Sequence, residues 1–162
     1  MAMFVHLTLE SRVKLILRNG IRRLRQQGDG KRGIFAMPVT RNFYVSHQWL
    51  RELKRGNSGP IVGVYFRIAD SETVSVGHYN STHQNLTAAE AVSEIMSSQS
   101  PEGFEVIVRR AIEPEEIHRV RELPQVVGWR YFPQSHGRSP CGCPFCQRGQ
   151  YGAKKLRDDY ER

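Results

Sequence analysis

The chain predicts an α+β domain: a mixed, largely antiparallel central sheet with short flanking helices. Short β-prone runs recur along 162 residues, three or four short helical periods interrupt them irregularly, and no internal repeat appears. That irregularity argues against a regular parallel βαβ array. The length suits one ordinary domain that buries a core without help from disulfides or metals.

The elements follow in order. Residues 3–8 (MFVHLT) read as an opening strand. Leu9, Val13, Ile16 and Leu17 then recur at helical spacing, and Asn19-Gly20 stops that helix. A basic, glycine-interrupted surface loop is expected next, carrying Arg22, Arg23, Arg25, Lys31 and Arg32. Residues 33–39 (GIFAMPV) form a second strand that Pro38 ends or confines to an edge. A helix over residues 42–55 would bury Phe43, Trp49, Leu50 and Leu53 on one face, and the run GNSGP ends it.

The apolar run 61–68 (IVGVYFRI) is the strongest strand, and residues 73–79 alternate as its expected hairpin partner. Thr87 is placed to cap a helix with Glu90 completing a capping box, while Ala88, Ala91, Val92 and Ile95 line its buried side. After the turn Pro101-Glu102-Gly103, residues 104–109 predict a strand, residues 114–121 a short helix with proline in its first turn, and residues 126–132 a last strand. The expected organisation is an α+β domain over residues 1–133, a knuckle over 134–150 packed on it, and a polar tail over 151–162.

Composition removes several function classes. No apolar run approaches the roughly 20 residues that cross a bilayer, and the first residues do not read as a secretory signal, so no membrane and a cytoplasmic location are expected. The net charge of +8 suits polyanionic partners such as DNA or RNA.

The three cysteines fall within six positions, which is no disulfide framework. His136, Cys141, Cys143 and Cys146 supply three thiolates and an imidazole, the donor set of a tetrahedral structural zinc site. Reduced surface thiols and a redox dithiol are the competing readings of the same residues.

The opening Val-His6-Leu-Thr8, followed by Ile16-Leu17 and Asn19-Gly20-Ile21, resembles the first motif of ADP-ribosyltransferases of the DNA-targeting toxin type and of RNA 2'-phosphotransferases. Glu105-Val-Ile-Val108, with Ile112 and Pro114-Glu-Glu-Ile117, is similar to the late strand of the same enzymes. The resemblance implies an ADP-ribosyltransferase-like fold and NAD as substrate. It implies that His6 and Thr8 bind NAD from one side of a strand, and that Glu105 assists transfer from the nicotinamide ribose. Between these motifs, Arg41 would neutralise phosphate and Tyr44 would stack on nicotinamide, with Tyr65 and Tyr79 as competing aromatics.

Each residue also has a plain structural role. His6 fits a half-buried strand position, and Glu105 fits an edge position paired with Arg109 or Arg130. His47, His78 and His83 offer further imidazoles, the last two around one turn. The rival to an NAD-dependent transferase acting on a DNA or RNA acceptor is a non-catalytic zinc module that binds nucleic acid or protein through its arginines.

Overall fold

The computed structural model describes residues 1–22, 32–79 and 81–128. Among them, seven strands form one sheet: β1 (Ala2–Leu9), β2 (Ile34–Pro38), β3 (Ile61–Ile68), β4 (Thr73–His78), β5 (Gln84–Thr87), β6 (Phe104–Val108) and β7 (Ile117–Glu122). Their order is β5-β4-β6-β2-β1-β3-β7, and every pair is antiparallel. Four short helices accompany the sheet: α1 (Val13–Asn19), α2 (Phe43–Ser46), α3 (Leu50–Lys54) and α4 (Ala88–Ser97). The α+β class and the antiparallel sheet agree with the sequence expectation.

The expected hairpin between residues 61–68 and 73–79 does not form. Each strand exists, but β3 pairs with β1 and β7 whereas β4 pairs with β5 and β6. Three strands separate β3 from β4, about 19 Å in a flat sheet at roughly 4.8 Å per step. Yet the link between them is a tight turn closed by Glu72 N–H donating to the Ala69 carbonyl at 3.0 Å. The sheet must therefore curl until its two halves meet at this corner. Among the described residues a large hydrophobic cluster combines Phe4, Val64 and Phe66 with Val74, Val76, Val106 and Val108 and with Ala88, Ala91 and Ile95 of α4, and a smaller one gathers Leu50, Ile61 and Leu123.

The capping box of α4 is formed as expected: Thr87 Oγ1 accepts from Glu90 N, and Glu90 Oε2 accepts from Thr87 N. The first helix is preceded by a single 3-10 turn at Glu10–Arg12, and it stops at Gly20 as expected. It buries only Ile16, however, and Leu15 and Leu17 are 61% and 51% exposed.

Three further expectations are corrected. The helix over residues 42–55 breaks into α2 and α3, where the Gln48 side chain takes the Val45 carbonyl that a continuing helix would use. His47 Nδ1 donates to the Phe43 carbonyl at 2.8 Å and Gln48 Nε2 to the Val45 carbonyl at 3.3 Å. Leu50 is then buried, while Phe43 and Leu53 are exposed. The helix over 114–121 is a 3-10 turn, Pro114–Glu116, followed by β7, whose alternating residues gain a ladder against β3. Residues 125–126 form a turn where a last strand was expected, and residues 129–132 lie outside the described part.

Candidate functional site

The site begins where the sheet opens. β1 runs beside β3 along its whole length, from Ala2↔Ile68 to Leu9↔Ile61. Against β2 it pairs only at Phe4↔Pro38 and Val5↔Met37. Where the next pair would form, the His6 side chain takes over, and its Nδ1 lies 2.8 Å from the Phe35 carbonyl oxygen. A carbonyl only accepts, so Nδ1 carries the proton.

The divergence of the two strands opens a cleft of about 900 Å³, within the roughly 300–1,000 Å³ of small-molecule sites. His6 and Thr8 stand on its first wall, two residues apart and therefore on one side of β1. Glu105 of β6 stands on its second wall and is itself buried. Three residues singled out in sequence thus line one cleft.

Burial lowers the pKa of His6 below its ordinary value; the Phe35 bond opposes that shift, and the Arg12 guanidinium adds to it. The imidazole is therefore neutral at neutral pH, and with Nδ1 protonated its Nε2 is an acceptor. A neutral acceptor can take a hydrogen bond from a hydroxyl or an amide without repelling a cationic ring.

Arg41 and Tyr44 are not among the residues lining this cleft. Arg41 is exposed just before α2. Tyr44 is half-buried, and its hydroxyl is pushed up to about 12 by burial and by Glu102, with Arg51 opposing. The competing aromatic Tyr65 is buried under the Arg119 guanidinium, 5.1 Å from its ring centre, and its hydroxyl lies 2.8 Å from His47 Nε2.

The cleft contains groups that sequence patterns did not single out. Arg12 and Arg22 bring positive charge to its walls. Trp49 and Tyr79 bring aromatic surface, their ring centres 5.7 Å apart, and Trp49 Nε1 donates to the Phe104 carbonyl at 2.7 Å. The sequence marks Tyr79 only as one aromatic among three and Arg22 only as part of the basic loop. No local pattern assigns Arg12 or Trp49 to a site, and they converge through the fold.

His136, Cys141, Cys143 and Cys146 lie outside the described residues, as does most of the basic loop. Comparison with known proteins finds no matching family model, no matching curated protein and no matching solved structure.

Proposed function

We propose that the protein is an NAD-dependent ADP-ribosyltransferase-type enzyme whose cleft binds NAD between β1 and β6. One observation carries the reading: His6, Thr8 and Glu105, drawn from strands about a hundred residues apart, line the same cleft in the split sheet. In this reading His6 Nε2 accepts from a ribose hydroxyl or the nicotinamide carboxamide, and the Thr8 hydroxyl adds a second contact. A neutral His6 tolerates the positive charge of nicotinamide where an imidazolium would oppose it. Arg12 and Arg22 supply cations for the diphosphate, and Trp49 and Tyr79 supply faces for a ring.

In the reaction, the bond between ribose C1' and the nicotinamide nitrogen breaks, and nicotinamide leaves with the bonding electrons. The Glu105 carboxylate accepts a hydrogen bond from the ribose and stabilises the oxocarbenium-like charge. An acceptor nucleophile then bonds to C1', and its proton passes to Glu105 or to solvent. The basic balance of the chain, +8, favours a DNA or RNA acceptor.

The test is nicotinamide release from NAD, with and without DNA or RNA oligonucleotides. Glu105→Gln should lower turnover by about 100-fold or more while the fold is retained. Unchanged turnover in that variant removes Glu105 from the chemistry. For the C-terminal ligands the proposal is structural zinc on His136, Cys141, Cys143 and Cys146. Metal analysis should then find about one zinc per chain, and none in protein purified without chelators would refute it.

A further inference from the structure

Glu105 is accompanied by a buried imidazole that does not itself line the cleft. His83, on the connection between β4 and β5, places Nε2 3.5 Å from Glu105 Oε2, and the two side chains are 6% and 9% exposed. The same nitrogen lies 3.3 Å from the His78 carbonyl oxygen. The seat for this ring is cut by a glycine. Gly77 on β4 is the ladder partner of Glu105 on β6, and a Cβ at Gly77 would stand 2.5 Å from His83 Cδ2 and 3.1 Å from His83 Cα. Only without a side chain at that position can the imidazole lie against β4 and reach the carboxylate.

The tautomer follows from the partners. A carbonyl oxygen can only accept, so Nε2 carries the proton in either charge state of His83, donates it to the His78 carbonyl, and stands with it 3.5 Å from Glu105 Oε2. A carboxylate this deeply buried is costly to ionise, and a neighbouring N–H, or an imidazolium, offsets that cost. Once protonated, Glu105 could neither stabilise developing positive charge nor take a proton.

We infer that His83 is a positioning residue: its Nε2–H, seated by Gly77, holds the Glu105 carboxylate ionised and oriented in the cleft. Its chemical purpose rests on the transferase reading above, but the contact itself is testable without NAD. The other ionisable groups lining the cleft are His6, Arg12, Arg22, Glu52 and Tyr79. Nearby stand His78, packed on Phe104 at 4.2 Å, and Arg109, bonded to Asn85 Oδ1 at 2.9 Å.

The experiment follows the Glu105 side-chain carboxyl by carbon-detected NMR through a pH titration of the full chain, beside steady-state nicotinamide release. The variants are His83→Ala, His83→Gln and Gly77→Ala. His83→Ala and Gly77→Ala should raise the Glu105 titration midpoint by roughly one pH unit. They should also lower kcat by about tenfold or more with KM changed less than about threefold. His83→Gln retains an N–H donor near the Nε2 position and should recover most of kcat, which a merely structural role would not predict. A Glu105 midpoint identical in wild type and His83→Ala overturns the inference, as does equal kcat in all variants of an active enzyme. Absent nicotinamide release by the wild type, with the midpoint still shifted in His83→Ala, defeats the transferase reading and leaves the His83 contact standing.

Discussion

The two walls of the cleft are built by different means. The first wall is a single strand: His6 and Thr8 share a side because they are two residues apart on β1, and the backbone period alone places them together. The second wall is assembled from distant segments. Glu105 comes from β6, Tyr79 from the connection after β4, and Trp49 from the turn between α2 and α3, while His83 stands behind Glu105 without lining the cleft. Local chemistry builds the first wall, and strand order builds the second. A damaging substitution in the first should act locally, whereas the second depends on contacts across the fold.

The largest expected effect beyond Glu105 itself lies at the junction of the walls. Gly20 ends α1 with φ +76°, and a Cβ there would press on the Ile112 carbonyl, the oxygen that accepts from Ile21 N–H at 2.8 Å. Gly20→Ala is predicted to cost about 2 kcal/mol or more of stability, measured by denaturant unfolding. A loss under about 0.5 kcal/mol would mean that this corner relaxes easily.

A smaller effect separates packing from site chemistry. His47 is buried at the end of α2, with Nδ1 donating to the Phe43 carbonyl and Nε2 accepting from the Tyr65 hydroxyl. Burial lowers its pKa from 6.5, and the Phe43 bond opposes that shift. Below about 6.5 the unfolded chain therefore binds more protons than the folded one, so stability falls as pH falls through that window. His47→Gln should show a flatter decline below pH 6.5 in thermal unfolding, and an unaltered slope would contradict a buried neutral imidazole.

The smallest expected effect sharpens the comparison most. Arg41 and Tyr44 fall between the two resembling motifs in sequence and are not among the residues lining the cleft. Arg41→Ala and Tyr44→Ala should each change NAD affinity by less than about twofold, whereas Thr8→Val should weaken it by several-fold. A tenfold loss in Arg41→Ala would mean that bound NAD extends to α2.

What was legible in the sequence follows the same division. Strands at residues 3–8, 33–39, 61–68, 73–79 and 104–109 were readable because apolar runs between turn residues are local signals. The capped helix at Thr87 was readable for the same reason. The β3–β4 pairing was misread because adjacency in sequence usually means adjacency in a sheet, and here a tight turn at a folded corner separates the two strands. The broken helix after Asn42 depends on where the Gln48 side chain sends its hydrogen bond, which periodicity does not report. Likewise Glu105 carried a motif, but the imidazole beside it became visible only once β4 and β6 were known to be neighbours.

Calorimetric titration of NAD into the wild type and into His6→Ala tests the central claim most directly. The account predicts saturable binding to the wild type, weakened about tenfold by His6→Ala, the loss of one buried hydrogen bond. No binding at millimolar NAD, or equal affinity in the two proteins, would contradict it.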